Sequence, residues 1–191
     1  MARAMRGFFG IGVEGLSKPM NLGALMRTAH AFDASFVFTI GTNFDRRHVK
    51  HADTSDTVAN LPFHEYPDVA SLHLPRGCQL VGIEIREDAI ELPSFRHPRQ
   101  AAYVLGAERS GLSPALLEIC DFVVQIPTRF SINVALAGSL VMYDRMISLG
   151  RFAERPVKTG GPAEPLPAHR HGTPLWQSRL QRRLSKPSEP R

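Results

Sequence analysis

Residues 8–40 read FFGIGVEGLSKPMNLGALMRTAHAFDASFVFTI, and this stretch indicates the class of fold. Its two ends, residues 8–13 and 36–40, are short apolar runs rich in aromatic and β-branched side chains, which favours buried strands. Residues 22–32 between them are rich in leucine, alanine and methionine, which favours a helix. A strand, a helix and a second strand in this order predict the start of a parallel α/β sheet.

The same alternation continues along the chain. Further strands are predicted at residues 79–85, 102–105 and 122–126, and helices at 114–119 and 132–149, with a weaker helical signal at 68–74. Near-continuous apolar strands that alternate with helices are typical of a parallel sheet covered by helices on both faces. The polar segment 43–66 lacks a firm period and is interpreted as a loop followed by irregular structure.

Charge divides the 191 residues into two parts. Residues 1–150 hold 14 basic and 15 acidic side chains, whereas residues 151–191 hold 9 and 3, a net charge of +6. The second part also holds 7 of the 15 prolines, which disfavours long helices and paired strands. We therefore expect a folded domain over residues 1–150 and a flexible, disordered tail over 151–191. That tail is either a solvated appendage or an arm that contacts RNA phosphates.

Composition and motif spacing argue against several classes of protein. Apolar residues make up 43% of the chain, too many for a wholly disordered protein, and no apolar run approaches the roughly 20 residues that cross a bilayer. Cys78 and Cys120 stand apart from any CxxC or Cys/His cluster, so we expect reduced, buried thiols in a cytoplasmic protein, with no metal and no membrane partner. A P-loop is not found.

The segment that follows the first predicted strand, residues 21–29 (NLGALMRTA), holds two candidate functional residues. Asn21 is suited either to cap the predicted helix or to act in a site. Arg27 has small and apolar neighbours, and an arginine in such surroundings either forms a structural ion pair or binds a planar anion.

Two later segments each join a strand to a helix. In residues 104–112 (VLGAERSGL), glycines would let the backbone approach a ligand, and the Glu108 carboxylate could orient an arginine; a generic connecting loop is the alternative. In residues 126–135 (IPTRFSINVA), Ser131 is a natural N-cap or a site residue. Asn133 follows it, ahead of small residues that would allow close packing of another backbone, namely Ala135, Ala137, Gly138 and Ser139.

Taken together and in this order, NLGALMRTA, LGAERSGL and IPTRFSINV resemble the three motifs of the SpoU (TrmH) family of SPOUT RNA methyltransferases. The resemblance covers residues 7–149 and leaves the basic tail outside. It implies a parallel α/β domain with a C-terminal trefoil knot, an exception to the rule that connections do not thread loops. It also implies a homodimer and transfer of a methyl group from S-adenosylmethionine to a ribose 2′-hydroxyl of RNA, with tRNA favoured and rRNA an alternative.

The resemblance also implies roles for individual residues. Arg27 would contact the 2′-hydroxyl and its phosphate, Asn21 would hold Arg27, and Glu108 would orient it. Ser131 and Asn133 would line the methyl-transfer pocket. S-adenosylmethionine would lie bent among loops that contain Ile83, Glu84, Leu105, Gly106, Ile126, Pro127, Ser131 and Ile132. The third motif lacks the further serine that many members carry after the valine, and the loop from Ile126 to Ser131 is short.

Two other functions are compatible with the sequence. A catalytically silent RNA-binding module would keep the same fold and use the basic tail for binding. A different nucleotide-handling α/β enzyme would be expected to carry a phosphate-cradling loop directly after a strand. Gly10, Gly12 and Gly15 have GxGxxG spacing but begin inside the first predicted strand.

Overall fold

The computed structural model of the chain describes residues 7–42, 61–107, 110–150, 152 and 159–160. The chain divides into two compact units, residues 1–151 and residues 152–191. The described part of the first unit holds seven strands and three α-helices, which are β1 Phe8–Glu14, α1 Pro19–Ala31, β2 Phe36–Ile40, β3 Phe63–Tyr66, β4 Gln79–Ile83, β5 Ile90–Glu91, β6 Gln100–Leu105, α2 Pro114–Ile119, β7 Phe122–Gln125 and α3 Val134–Leu149.

The seven strands form one sheet in which every pairing is parallel, in the order β3-β2-β1-β6-β4-β7-β5. Ile11 of β1 lies opposite Val37 of β2 on one side and opposite Tyr103 of β6 on the other. The predicted parallel sheet is confirmed. Because β6, β4 and β7 are neighbours, their carboxyl ends lie side by side at one edge of the sheet.

Side chains alternate between the two faces of the sheet, and each face has its own core. Phe9, Ile11 and Val13 of β1 pack with buried residues of α1 and α3. On the other face, Phe36 and Phe38 of β2 share a core with Leu116 of α2. Helices therefore cover both faces, as predicted.

The aromatic rings of β2 lie directly over two glycines of β1. A Cβ atom at Gly10 would lie 2.2 Å from the Phe36 ring, and one at Gly12 would lie 2.5 Å from the Phe38 ring. The two glycines therefore make room for flat packing of the rings on the sheet.

The structure differs from the prediction in three segments. The prediction of a helix at residues 68–74 is wrong. This segment forms a turn, in which the Asp68 carboxylate accepts the Ser71 N–H at 2.8 Å. Residues 63–66, interpreted as irregular, form the edge strand β3, whose exposed His64 and Glu65 hide the apolar signal of a strand. The strand β5 has only two residues, too short to leave a periodic pattern.

The structure excludes the capping alternative for both Asn21 and Ser131. Helix α1 begins at Pro19 with Lys18 as its N-cap, so Asn21 lies inside the first turn. Proline explains the early start, since its φ is already helical and its missing N–H is not needed there. Helix α3 is capped by Asn133 rather than Ser131, because the Asn133 side chain accepts the N–H groups of Ala135 and Leu136.

The small residues of α3 serve packing within the chain. A Cβ atom at Gly138 would lie 2.5 Å from the Leu25 Cδ1 atom of α1 and 3.2 Å from the Ile11 Cδ1 atom of β1. Ala135 and Ala137 are buried beside it. The predicted close packing is therefore found between α3 and α1 of one chain. Among the described residues, no helix has the length and apolar character needed to cross a membrane.

Candidate active site

A cavity of about 150 Å³ lies where β4, β6 and β7 end, at the carboxyl edge of the sheet. Ligands of open α/β sheets bind outside the carboxyl ends of the strands. Each of the three strands contributes the loop that follows it, and α3 closes one side. The lining residues are Ile83, Glu84, Ile85, Leu105, Gly106, Ala107, Gly111, Ile126, Thr128, Ser131, Ile132, Val134 and Ala137.

Seven of the eight residues predicted to bind a cofactor line this one cavity, namely Ile83, Glu84, Leu105, Gly106, Ile126, Ser131 and Ile132. Pro127 is exposed and is not among the lining residues. The lining residues that were not predicted lie in or directly after the same loops, namely Ile85, Ala107, Gly111, Thr128, Val134 and Ala137. The predicted residues thus come from the loops that form this cavity, but they do not include every residue that lines it.

The loop after β6 closes on itself through its backbone. The Gly111 N–H donates to the Ala107 carbonyl oxygen at 2.9 Å, and Gly111 has a φ of 65°, which a side chain would disfavour. A Cβ atom at Gly106 would lie 2.1 Å from the Gly111 carbonyl carbon. Both glycines of the second motif are therefore required by the shape of this loop.

Two carboxylates bind the end of the same loop. The Glu84 Oε2 atom accepts the Leu112 N–H at 2.6 Å, while its Oε1 atom accepts the Ile85 N–H at 3.1 Å. The Glu14 Oε2 atom accepts the next N–H along the chain, that of Ser113, at 2.7 Å. Sequence reasoning missed these contacts; its only signal was an acidic residue at the carboxyl end of an apolar strand.

Asn21 and Asn133 meet where α1 and α3 begin. The Asn133 Nδ2 atom donates to the Asn21 Oδ1 atom at 3.2 Å, although the two residues are 112 positions apart. The Asn133 Oδ1 atom is at the same time the cap acceptor of α3. The structure therefore joins the first motif to the third, and Ser131 lies just before this contact on the cavity wall.

Arg27 lies further along α1 and is exposed to solvent. Glu108 lies outside the described residues, so its orientation of Arg27 stays a prediction. The role of Asn21 in holding Arg27 also stays a prediction; the Asn21 Oδ1 atom accepts a hydrogen bond from the Asn133 side chain.

Neither cysteine forms a disulfide, and both are half-buried. Burial raises the pKa of Cys78 and of Cys120 to about 11, which keeps the thiols protonated near neutral pH. In the part of the chain that the structure describes, no three His, Cys, Asp or Glu side chains are grouped so that they could hold a metal ion.

A buried polar network lies near the amino end of β6, whereas the cavity lies at the carboxyl ends of the strands. The buried Arg145 of α3 donates to the Arg99 carbonyl oxygen at 2.8 Å and to the Tyr103 hydroxyl at 3.0 Å. His97 joins the Tyr103 hydroxyl at 2.6 Å to the Asp144 carboxylate at 2.9 Å. Burial lowers the pKa of His97 despite Asp144, so the imidazole is neutral at neutral pH.

The sequence profile of the SpoU rRNA Methylase family matches residues 9–143. A 23S rRNA (guanosine-2′-O-)-methyltransferase of Nitrosomonas europaea is 30% identical over 144 residues, which cover 69% of this chain and 53% of that protein. A tRNA (guanosine(18)-2′-O)-methyltransferase of Escherichia coli K12 is 25% identical over 137 residues, 69% of this chain and 60% of that protein. The chain thus spans little more than half the length of these two relatives.

Among solved structures, the AdoMet-bound rRNA methyltransferase of Sinorhizobium meliloti has the same fold, with a TM-score of 0.67 at 20% identity. The match covers 76% of this chain and 58% of that one. The family profile extends from β1 into α3 and includes all the segments that form the cavity. This chain therefore belongs to the SpoU rRNA Methylase family.

Proposed function

We propose that this chain transfers a methyl group from S-adenosylmethionine to a ribose 2′-hydroxyl of RNA, with tRNA as the favoured substrate and rRNA as the second choice. The observation that carries the proposal is the assembly of the second and third motifs around one cavity, with the first motif joined to the third through Asn21 and Asn133. Membership of the family and the named activities of the two relatives support it.

The cavity fits the proposed cofactor. Its apolar side chains, including Leu105, Ile126 and Ile132, suit a planar base, and Gly106 and Gly111 line it without a side chain, so that a ligand can approach the backbone closely. When bound, S-adenosylmethionine supplies a methyl group activated by its sulfonium sulfur. In this proposal the loops after β4, β6 and β7 orient that group toward the RNA, and positioning of this kind is a large part of catalysis.

Arg27 binds the RNA in the proposed mechanism. A guanidinium stays protonated in proteins, so Arg27 does not remove the hydroxyl proton. It contacts the phosphate beside the target ribose and stabilises the negative charge that develops on the 2′-oxygen. A phosphate oxygen accepts the proton, Glu108 orients Arg27, Asn21 holds it, and Ser131 and Asn133 line the place of transfer.

Labelled methyl transfer into tRNA and rRNA tests the proposal. We expect Arg27→Ala to lower the rate by about 10²–10³, the usual effect of losing one group that stabilises developing charge. Because Arg27 is exposed, the variant should fold and should still bind S-adenosylhomocysteine. Arg76→Ala is the matched control: Arg76 is also exposed, but it precedes β4 at the amino edge of the sheet.

Absence of transfer into any RNA by the folded wild-type protein would refute the proposed activity. If the chain is instead a silent RNA-binding module, RNA binding should survive Arg27→Ala and the protein should have no measurable affinity for the cofactor. Calorimetry with S-adenosylhomocysteine and a filter-binding assay with tRNA distinguish the two.

The proposed enzyme is a cytoplasmic homodimer. Support for a partner copy comes from the outer face of α3, where Leu136, Leu140 and Tyr143 follow one another at helical spacing and are 61%, 43% and 48% exposed. Met20 at the start of α1 is 78% exposed. Apolar side chains clustered in this way mark interaction surfaces. Leu140→Glu should shift the molar mass measured by light scattering from the dimer to the monomer.

The trefoil knot and the basic tail belong to the same proposal. The resemblance to knotted methyltransferases supports a knot in the region of β7 and α3. The charge of +6 supports a flexible tail over residues 151–191 that strengthens RNA binding to the domain of residues 1–150. Nearly all of the tail lies outside the described residues.

A further inference from the structure

Glu14 stands at the carboxyl end of β1 and reaches across to a distant segment. Its carboxylate accepts the Ser113 N–H at 2.7 Å, although the two residues are 99 positions apart. Glu84 accepts the neighbouring Leu112 N–H at 2.6 Å. Two consecutive backbone N–H groups are thus bound by two carboxylates, one from the last residue of β1 and one from the residue that follows β4.

The sheet order explains why this pair of contacts matters. β1 and β4 are the two neighbours of β6, so Glu14 and Glu84 hold the loop after β6 from both sides. That loop supplies Gly106, Ala107 and Gly111 to the cavity wall. Its glycines give it many accessible conformations when it is not held, and each of these must be given up when a ligand binds.

We propose that Glu14 is a positioning residue that holds the loop after β6 in the conformation that binds the cofactor. This inference rests on the proposed function. Glu14 is not among the residues that line the cavity, so it acts through the Ser113 N–H and not by touching the ligand. Charge-assisted hydrogen bonds to carboxylates are the stronger kind, which suits this role.

The sheet also contains a matched control for this contact. The Asp121 Oδ2 atom accepts the Leu80 N–H at 2.7 Å, the same distance as in the Glu14 contact. Asp121 immediately precedes β7, so its contact lies at the amino edge of the sheet, opposite the cavity. Removal of either carboxylate deletes one bond of the same kind, but only Glu14 lies at the end of the cavity loop.

Calorimetry with S-adenosylhomocysteine on the full chain tests the inference. We expect Glu14→Ala to weaken binding about tenfold, the factor expected when a charge-assisted hydrogen bond that orders the loop is lost. Glu14→Gln keeps an acceptor oxygen and should bind within about threefold of wild type. Asp121→Ala should bind like wild type.

Equal affinities of Glu14→Ala and wild type would overturn the inference, as would equal weakening by Glu14→Ala and Asp121→Ala. If the wild-type protein binds no S-adenosylhomocysteine, the proposed function itself fails, which is a different result.

The donor side of the contact offers a second pair of variants if Glu14→Ala does not fold. Ser113 has a φ of −66°, which proline adopts without strain. Ser113→Pro and Ser113→Ala both remove the hydroxyl that caps α2, but only proline also removes the N–H that Glu14 accepts. We expect weaker cofactor binding by Ser113→Pro than by Ser113→Ala. Equal binding by the two variants would overturn the inference.

Discussion

Replacement of Arg145 by methionine tests how α3 is fixed to the sheet. The buried guanidinium donates to the carbonyl oxygens of Pro98 and Arg99 and to the Tyr103 hydroxyl. It also lies 5.0 Å from the centroid of the Phe9 ring. These contacts join the C-terminal half of α3 to the start of β6, so their loss should destabilise the whole domain.

The size of the effect can be estimated from the contacts. Methionine fills much of the same volume, so the loss falls on the hydrogen bonds and not on packing. Two carbonyl oxygens lose a charged donor, at about 1–3 kcal/mol each, whereas the Tyr103 hydroxyl keeps its contact with His97. Removal of a buried charge offsets part of this loss. We expect the free energy of unfolding to fall by about 2–4 kcal/mol.

Urea unfolding followed by circular dichroism measures this change. The midpoint should fall with an unchanged slope, and the melting temperature should fall by about 4–16 °C for a chain of this size. Arg86→Met is the control, since Arg86 is exposed and contacts Asp88 at the surface, and it should leave the midpoint unchanged. An Arg145→Met protein that unfolds at the wild-type midpoint would show that desolvation of the guanidinium cancels its hydrogen bonds.

Three further predictions concern stability, cofactor and RNA. Burial lowers the pKa of His97, so below about pH 6.5 the unfolded chain binds a proton that the native chain does not. The urea midpoint should therefore fall as the pH is lowered below about 6.5, and it should fall less steeply in His97→Gln. Gly106→Ala would put a Cβ atom 2.1 Å from the Gly111 carbonyl carbon and should abolish S-adenosylhomocysteine binding in calorimetry, whereas unchanged binding would place the cofactor elsewhere. Removal of residues 151–191 should weaken RNA affinity and flatten its salt dependence while cofactor binding persists; an unaltered salt slope would mark the tail as a solubilising appendage.

The strands and the long helices could be predicted because their signals are local. Residues 36–40 and 114–119 have the predicted bounds, since an apolar run between polar turns carries its own information. The start of α3 could not be assigned in the same way. Ser131 and Asn133 are both good N-caps, and the choice between them depends on where Val134 becomes buried against the rest of the core.

In the candidate site, too, some features have a local signal in the sequence and others depend on tertiary packing. The motif segments identified the loops after β6 and β7, because glycine, proline and polar residues at strand ends are visible in the sequence, and the family resemblance added the loop after β4. The sequence indicated Glu84 as a cofactor residue but not that its carboxylate binds the Leu112 N–H, and it indicated nothing for Glu14.

By itself, then, the sequence determined the parallel α/β class, the membership of the family and the loops that surround the cavity. Only the tertiary structure decided which side chains hold those loops and which face of α3 stays exposed. The reason is physical: the roles of Glu14 and Glu84 follow from the position of β6 between β1 and β4. That order comes from the packing of distant strands, and no local pattern of residues records it.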